Sequence, residues 1–325
     1  MTIRASLLAP AVLLSLALAA GGIQAQTYPA KALRMVVGFP PGGPSDIVAR
    51  TVAQKLAISL GQTVIVENRA GAGGVIATEH IARSPADGYS LIHGTIGGIA
   101  VAMSLHSSRG YDTLRDLAPI TQTVTVTNIL ITHPSVPAQS VKALLALARS
   151  KPGRLNYGSS GAGTVTHLAG ELLKHLAKVD ITHVAYKGSA PSLTALLSGE
   201  VDLSYENSLI TLPHIKSGRV KALAVTGSRR SQLLPDLPTI AEAGLPGYEA
   251  SGWYGLLAPA ATPKAVIARL HAESAKALRL PDVVERLSGQ GAEPVGNSPE
   301  EFTAFIRSEI DKWANLVRAA NMKPE

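Results

Sequence analysis

The 325-residue chain contains no cysteine, and only 4% of its residues are aromatic. Without cysteine it can form no disulfide bond, and it cannot be a lipoprotein anchored through a cysteine. Its 46% hydrophobic and 16% charged residues are typical of a globular protein and exclude a disordered one. The length is sufficient for two domains that each bury a core.

The sequence also lacks a concentrated charge of either sign. The formal net charge is +7, but the basic residues are scattered and Arg229-Arg230 is the only arginine pair. Neither a basic stripe nor aromatic residues interleaved with one occurs, so nucleic acid is not an expected partner. A mildly positive field would instead help to gather anionic solutes.

Long hydrophobic runs are absent except at the N-terminus. There Arg4 precedes the apolar run Leu7–Ala20, and Ala25 offers a small residue for cleavage. This pattern predicts a secretory signal peptide over Met1–Ala25. The run is shorter than the roughly 20 residues that a membrane span needs, so a retained anchor is not expected. Export and the absence of cysteine together favour a bacterial periplasm.

Catalytic and metal-binding motifs are missing as well. The segment Gly158–Ala162 fails the G-x-S-x-G pattern of a nucleophilic serine because its second glycine comes one residue early. The segment Gly71–Ile76 ends in isoleucine where a dinucleotide site needs glycine, and no G-K-[ST] motif occurs. His167 and His175 lack metal-ligand spacing. We therefore expect neither cofactor nor metal, and we expect binding without turnover.

Glycine-rich connections between strands and helices are what the sequence has in quantity. In Val36–Arg50 an apolar run meets Gly38, two prolines and two glycines, and a helix begins near Ser45. Glycines let the bare backbone approach a ligand, and the free N–H groups of a first helical turn favour an anion. The loop predicts a carboxylate cradle. The alternative is a turn that only connects two core elements.

Strands and helices alternate along the chain, which predicts α/β architecture with mainly parallel sheets. Val64–Val66 is predicted as a short buried strand, and a strand at Ser90–His93 is predicted to run into a glycine loop over Gly94–Gly98. The loop Gly158–Thr164 is a second glycine-rich counterpart of the first. Consecutive strand ends meet along one edge of a parallel sheet, where ligands bind.

Two segments are predicted to cross between domains. Ala118–His133 is β-branched almost throughout and long for one strand, so we interpret it as a strand or strand pair that changes domain near Thr127. Ser251–Pro259 crosses back. The tail from Ser298, with a capping box and an apolar stripe, is predicted to pack on the first domain. The predicted division is therefore 26–126 plus 253–325, and 127–252.

Eight motifs in order carry a family resemblance. They are V-V-G-F-P-P-G-G-P-S-D-I-V-A-R from Val36, V-E-N-R-A-G-A-G-G from Val66, A-D-G-Y from Ala86, Y-G-S-S-G-A-G-T from Tyr157, H-V-A-Y-K-G-S-A-P from His183, P-H-I-K-S-G-R-V-K-A-L-A-V-T from Pro213, L-P-T-I-A-E-A-G-L-P-G-Y-E from Leu237, and the earlier Tyr28-Pro29. With them the chain resembles the TctC or Bug solute receptors of tripartite tricarboxylate transporters.

The resemblance implies a type II periplasmic binding protein, or Venus flytrap, in which two α/β domains with mixed sheets are joined by two crossover strands. It implies a monomer that binds a small carboxylate through backbone amides and ordered water and delivers it to membrane subunits. The implied contacts of the first domain are Phe39, Pro41, Gly42, Gly43, Ser45, Asp46 and Thr95. Those of the second are Ser159, Ser160, Gly161, Thr164, Lys187, Gly188, Ser189, Ala190 and Asn207.

The identity of the ligand stays open between di- and tricarboxylates, amino acids and aromatic acids. Val75 and Ala77 stand where the family commonly has Asn and a small residue, and Ala70 replaces a usual proline. Asp46 can serve the helix terminus or a ligand amine. Two other functions are compatible with the motifs: an exported enzyme that uses Ser159 or Lys187, and a ligand sensor for a membrane two-component kinase.

Overall fold

Two mixed β-sheets form the framework of the computed structural model, which describes residues 28–106 and 109–323. The predicted signal peptide Met1–Ala25 lies outside these residues. The first sheet has the order β11-β4-β10-β3-β1-β2. Its strands are β1 (Leu33–Val37), β2 (Val64–Asn68), β3 (Ser90–Thr95), β4 (Leu117–Val126), β10 (Gly252–Pro259) and β11 (Ala292–Pro294). Strands β1 to β3 are parallel, and β10 runs antiparallel to β3 and β4.

The second sheet has five strands in the order β7-β6-β8-β5-β9. They are β5 (Asn128–Thr132), β6 (Asn156–Ser159), β7 (Thr182–Ala185), β8 (Leu203–Asn207) and β9 (Lys221–Val225). Strand β6 pairs in parallel with β7 and β8, while β5 is antiparallel to β8 and β9. Both sheets therefore contain parallel and antiparallel pairs, which makes them mixed.

Helices cover the faces of both sheets. Those before the second sheet are α1 (Pro44–Leu60), α2 (Val75–Ala82), a π-helical turn (Gly97–Val101) that continues as α3 (Ala102–Leu105), and α4 (Thr113–Asp116). Those around the second sheet are α5 (Val141–Ser150), α6 (Val165–Ala177), α7 (Ser189–Ser198) and α8 (Ser208–Lys216). The tail forms α9 (Lys264–Leu278), α10 (Pro281–Ser288) and α11 (Pro299–Ala319).

The crossing between the sheets lies at Thr127. Strand β4 ends at Val126 in the first sheet, and β5 begins at Asn128 in the second, as the strand-pair interpretation predicted. The Thr127 N–H donates to the Gly291 carbonyl at 3.2 Å, and the Thr127 carbonyl accepts from the Ser208 N–H at 3.0 Å. Thr127 therefore bonds to the residue just before β11 of the first sheet and to the first residue of α8, the helix that follows β8 of the second sheet. The return crossing leads into β10.

Two local predictions were wrong. Strand β2 is not buried, because it forms the edge of its sheet and Ile65 is 50% exposed. No loop follows β3, since the strand continues to Thr95 and helical backbone begins at once in the π-helical turn. The burial of β2 and the conformation after β3 both depend on the elements packed around these short segments. The residues of a short segment do not determine those neighbours.

The last helix, α11, packs as the sequence predicted. Ser298 and Glu301 form a capping box, with the Ser298 hydroxyl accepting from the Glu301 N–H and the Glu301 carboxylate accepting from the Ser298 N–H. Phe302 and Trp313 are buried in a core that extends to β10. Gly255 in β10 makes this possible, because a Cβ there would lie 2.1 Å from a Phe302 ring carbon.

Candidate ligand-binding cleft

A partly open cavity lies between the two sheets, beside the crossing strands. The first-sheet side supplies Phe39, Pro40, Pro41, Gly43, Pro44, Ser45, Thr95, Ile96, Trp253 and Tyr254, and the second-sheet side supplies Asn128, Ser160, Thr164, Val165, Thr166, Gly188, Ser189, Ala190, Pro191 and Asn207. These lining residues include no Lys, Arg, His, Asp or Glu. A charged ligand would therefore have to be neutralised by the backbone and by neutral hydroxyl and amide groups.

The backbone supplies positive potential because four helices begin at the cavity wall. Helices α1, α6, α7 and α8 have the N-cap residues Gly43, Thr164, Gly188 and Asn207, and all four line the cavity. Gly43 and Gly188 have no side chain that could cap their helices, and the side chain of Thr164 makes no capping hydrogen bond. Each helix N-terminus carries roughly half a positive charge together with unsatisfied N–H groups. Their convergence makes the cavity suited to an anion.

The first glycine loop is held in shape by Asp46. Its carboxylate accepts from the Gly42 N–H at 3.0 Å, from Arg50 Nε at 2.9 Å and from Asn68 Nδ2 at 2.9 Å. The same amide of Asn68 donates to the Phe39 carbonyl at 2.9 Å. Burial raises the pKa of Asp46, but the bonds from Arg50, Gly42 and Asn68 outweigh burial and lower it overall. Asp46 therefore stabilises the loop through these hydrogen bonds and does not line the cavity.

Ser45 reaches the cavity and is supported from behind by His93. Ser45 Oγ lies 3.4 Å from His93 Nδ1, and His93 Nε2 lies 3.1 Å from Thr123 Oγ1. His93 is fully buried, and this burial lowers its pKa to about 3, with the charge of Asp46 acting in the opposite direction. A neutral imidazole thus connects the Ser45 hydroxyl to β4. Nothing in the sequence around His93 indicated this role.

The second glycine loop rests on a pair of stacked histidines. The rings of His167 and His183 are 4.0 Å apart and nearly parallel. His167 Nδ1 accepts from the Gly163 N–H at 3.1 Å, and His183 Nε2 lies 2.6 Å from Ser159 Oγ. Burial lowers the pKa of His167 to about 4, with a further contribution from Lys174. Burial lowers that of His183 to about 3, with a further contribution from His167.

Ser159 belongs to this support and is fully buried, whereas its neighbour Ser160 lines the cavity. The Ser160 N–H donates to Thr166 Oγ1 at 2.8 Å, and the Thr164 hydroxyl donates to the Gly161 carbonyl at 2.7 Å. These bonds fix the turn so that α6 begins at the cavity. The Ser159–His183 contact is the nearest approach to a nucleophile and base, but Ser159 has no open side for a substrate.

An outer groove continues from the cavity toward solvent. It is lined by Gly38, Phe39, Pro40, Ala70, Gly71, Ala72, Gly73, His106, Ser160, Gly161, Ala162, Ala185, Tyr186, Lys187 and Gly188. Phe39, Pro40, Ser160 and Gly188 line both spaces. They form the constriction between the cavity and the groove.

The two sides of the cleft touch through glycines. A Cβ on Gly73 would lie 2.7 Å from the Ala162 carbonyl oxygen, one on Gly97 would lie 3.2 Å from the Gly163 carbonyl oxygen, and one on Gly188 would lie 3.3 Å from Pro40 Cδ. At Gly73 and Gly97 backbone therefore meets backbone across the cleft, and at Gly188 backbone meets the ring of Pro40. This arrangement is a closed cleft.

Most of the sixteen predicted site residues meet in the cavity. Its wall includes Phe39, Pro41, Gly43, Ser45, Thr95, Ser160, Thr164, Gly188, Ser189, Ala190 and Asn207. Gly161 and Lys187 lie in the outer groove. Gly42 is exposed, Asp46 and Ser159 are buried, and these three line neither space. The roles of all sixteen residues in ligand binding stay predictions.

Sequence reasoning missed Asn128, Trp253 and Tyr254. Asn128 is buried, its Oδ1 accepts from Asn207 Nδ2 at 3.3 Å, and its Nδ2 has no partner in the described part of the chain. Trp253 and Tyr254 are consecutive residues of β10 that both line the cavity. Asn128 lies in β5, and Trp253 and Tyr254 lie in β10, the two strands next to the crossings. The β-branched and aromatic residues of these strands predicted a sheet and did not indicate a ligand site.

Trp253 is fixed in the wall by α11. Its Nε1–H donates to Glu309 Oε2 at 2.8 Å, and Trp313 Nε1–H donates to the same oxygen at 2.9 Å. The Trp253 ring also packs edge-on against Phe302 at 5.6 Å. The C-terminal helix thus sets the position of an indole in the cavity. No sequence motif joins Trp253 to Glu309, because they are 56 positions apart.

The described residues contain neither a metal-binding cluster nor a membrane-spanning helix. Residues 28–106 and 109–323 contain no group of three His, Asp or Glu side chains placed to hold a metal ion. Within the same ranges, none of the helices combines the length and the apolar character required to cross a bilayer.

Two α/β domains with mixed sheets and a cavity between them, at which four helix N-termini converge, define a solute-binding protein of the periplasmic type. The chain belongs to the tripartite tricarboxylate transporter receptor family, whose sequence profile matches residues 48–322. It is 41% identical over 305 residues to the BugT protein of Bordetella pertussis, covering 94% of both chains. It is 38% identical over 308 residues to a Pseudomonas UPF0065 protein, covering 94% of this chain and 91% of the other.

Solved structures agree with this assignment. An R. palustris protein with adipate superposes with a TM-score of 0.88 at 38% identity, covering 92% of this chain and all of the other. The periplasmic binding protein BugD gives 0.86 at 36% identity, with the same coverage. MatC from Rhodopseudomonas palustris with bound malate gives 0.84 at 34% identity, covering 89% of this chain and all of the other.

Proposed function

We propose that this chain captures a small carboxylate in the cavity between its two sheets and delivers it to the membrane subunits of a tripartite tricarboxylate-type transporter. The observation that carries the proposal is the convergence of four helix N-termini on a cavity whose lining has no Lys, Arg, His, Asp or Glu. Two similar structures were solved with adipate and with malate, both of which are carboxylates.

The energetics favour capture by two lobes together. A micromolar ligand needs about 8 kcal/mol of net binding free energy. Hydrogen bonds to a charged group contribute roughly 1.5 to 3 kcal/mol each, before the ordering costs are subtracted. One loop is insufficient, whereas α1 on one side and α6, α7 and α8 on the other supply donors from both. The glycine contacts then exclude water from the bound anion.

We infer a division of the chain into residues 26–126 plus 253–325 and residues 127–252, hinged at the two crossings. Removal of a signal peptide over 1–25 would place the mature protein in the periplasm as a monomer. The pairing of β4 and β10 in one sheet and of β5 and β9 in the other supports the division. Opening the hinge would separate Gly73 from Ala162 and release the ligand.

A thermal-shift panel tests the proposed function. Purified protein, stripped of ligand by partial unfolding and dialysis, is heated with dicarboxylates, tricarboxylates, aromatic monocarboxylates, amino acids and a neutral sugar. A ligand at one hundred times its Kd stabilises the folded state by about 2.7 kcal/mol, which raises Tm by about 5 °C or more. We expect at least one carboxylate to reach this shift and the sugar to give none. A shift confined to uncharged solutes would contradict the proposal.

A further inference from the structure

Glu206 is a buried carboxyl group directly beneath the cavity. It is 0% exposed and lies in β8 immediately before Asn207, which lines the cavity and caps α8. Its charge also acts on Tyr254, another lining residue, since it contributes to the raised pKa of that phenol. The site described above does not use Glu206, and a buried acid next to an anion site requires an explanation.

The hydrogen bonds around Glu206 fit a neutral carboxylic acid. Ser204 Oγ lies 3.1 Å from Glu206 Oε1 and 3.0 Å from the Gly158 carbonyl oxygen. A serine hydroxyl has one proton, and a carbonyl oxygen can only accept. When Ser204 donates to Gly158, its contact with Glu206 is satisfied by a proton on the carboxyl group. Glu206 then donates to Ser204, and Ser204 donates to Gly158.

The groups packed around Glu206 provide no counter-charge. Strand β5 places Ile129 opposite it, β6 contributes Gly158, and α7 contributes the Ser189 and Ser192 hydroxyls. Tyr254 is the titratable neighbour from the first sheet. Glu206 Oε2 has no hydrogen-bond partner among the described residues. Burial raises the pKa of Glu206 to about 7, although the hydroxyls of Ser192, Ser204 and Ser189 lower it.

We propose that Glu206 couples ligand capture to a proton: the cavity accepts an anion when the Glu206 carboxyl group is neutral, and bound anion keeps that proton in place. This inference rests on the proposed function. Two negative charges on either side of the Ser189–Asn207 wall, in a medium of low dielectric constant, repel each other. An anion therefore binds less tightly to the ionised form, and by linkage its binding draws a proton onto Glu206. The receptor favours capture at or below neutral pH and release above it.

Other buried groups do not titrate in the range where this coupling operates. His93, His167 and His183 have pKa values lowered to about 3, about 4 and about 3, so they are neutral above pH 6. Carboxylate ligands titrate near pH 4 and are ionised there as well. A pH dependence of affinity between pH 6.5 and 8.5 is therefore expected to report on Glu206.

Isothermal titration calorimetry with adipate and malate as probes tests the coupling. With wild-type protein we expect affinity to fall by about 25-fold between pH 6.5 and 8.5, since with full coupling of one proton the affinity follows the neutral fraction of a carboxyl group whose pKa is about 7. Titrations at pH 7.5 in buffers of different ionisation enthalpy should show uptake of a fraction of a proton per ligand. This second measurement needs no variant.

The variant Glu206→Gln keeps the shape of the neutral acid and removes its ionisation. We expect it to bind the probes with an affinity that is constant from pH 6.5 to 8.5 and with no proton uptake. Glu171→Gln is the matched control, because Glu171 is a buried carboxylate on α6 that pairs with Lys174 and Tyr157 away from the cavity. This control should keep the wild-type pH profile.

The outcomes separate the two proposals. Binding of a probe with no proton uptake by the wild type, or with the same pH profile in Glu206→Gln, would overturn the coupling and leave the proposed function intact. If neither these probes nor the thermal-shift panel gives binding of any carboxylate at any pH, the proposed function fails and the coupling fails with it. A profile flattened in Glu206→Gln alone would support both.

Discussion

Asn128 shows how one residue outside every motif can matter to a site. It is the first residue of β5 and is fully buried, and its amide nitrogen, beside the cavity, has no hydrogen-bond partner among residues 28–106 and 109–323. An unpaired buried donor costs roughly 1 to 3 kcal/mol, and a ligand carboxylate would satisfy it. The sequence pattern predicts strand structure over the whole segment. A single asparagine among β-branched residues does not indicate that it contacts a ligand.

The substitution Asn128→Asp tests this assignment. It preserves the acceptor that Asn207 uses but replaces a donor with a negative charge facing the anion. We expect the affinity for a carboxylate to fall by at least about tenfold, because a charged hydrogen bond worth roughly 1.5 to 3 kcal/mol is lost and repulsion is added. Calorimetry measures the change. Asn315→Asp, an exposed site on α11, adds the same charge and should leave affinity unchanged; equal losses in both variants would contradict a role for Asn128.

Asp46 illustrates the opposite case, a residue that the motif singled out and the structure places behind the wall. Its carboxylate is occupied by Gly42, Arg50 and Asn68. It lies in the first turn of α1, where a carboxylate complements the helix dipole, but the N-cap is Gly43 and Asp46 does not line the cavity. The ambiguity between helix cap and ligand contact could not be resolved from spacing, because Asn68 is twenty-two residues away in sequence.

At the scale of elements, the cleft is assembled from the ends of helices and closed by glycine backbone. Gly73 has a φ of +61° and meets the Ala162 carbonyl across the cleft. A side chain there would both strain the backbone and hold the two sides apart. The sequence predicted that glycine loops lie near a ligand. Their contact across the cleft depends on how the two domains pack, so it could not be predicted from either loop alone.

The pair Gly73→Ala and Gly218→Ala separates these two effects. Gly218 also has a positive φ, of +71°, but a Cβ there would meet nothing within 4 Å. Both variants carry the backbone penalty of about 1 kcal/mol, whereas only Gly73→Ala adds a clash worth about 1 to 3 kcal/mol in the closed state. We expect Gly73→Ala to weaken carboxylate binding by about tenfold. Small-angle scattering with ligand should show a larger radius of gyration for it than for Gly218→Ala, and indistinguishable behaviour would refute closure through Gly73.

For the whole molecule, buried neutral histidines make stability depend on pH. His93, His167 and His183 have lowered pKa values, so the folded state binds fewer protons than the unfolded state below pH 6.5. Their contribution is fully present above pH 6.5 and is lost as pH falls toward 4. Glu206 has the opposite sign, because its raised pKa favours folding as pH falls below 7.

His93 provides the clearest measurement of this effect, since it is fully buried. Between pH 6.5 and 5.0, keeping it neutral costs the folded state about 2 kcal/mol relative to the unfolded state. Urea unfolding of His93→Gln should therefore show a loss of stability over this range that is smaller than that of the wild type by about 2 kcal/mol. His175→Gln, a partly exposed position on α6, should lose as much as the wild type. Parallel pH profiles for wild type and His93→Gln would show that His93 is protonated in the folded state without penalty.

The sequence by itself determined the alternation of strands and helices, the break at Thr127, the capping box of α11 and the glycine loops. Each of these depends on neighbours within about ten residues, through side-chain periodicity, glycine conformations or hydrogen bonds to nearby backbone. The order of many motifs was also enough to predict the family. Interactions between residues that are close in sequence therefore predict the strands and helices, and the order of the family motifs predicts the fold.

Only the tertiary structure decided which residues share the cavity. It made β2 an edge strand, placed Asn128, Trp253 and Tyr254 in the wall, tied Trp253 to Glu309, and set Glu206 beneath the site. These relations join residues that are distant in sequence, and they depend on how two sheets pack across a hinge. Burial, which shifts the pKa of Glu206 and His93, is likewise a property of the folded molecule and not of any segment.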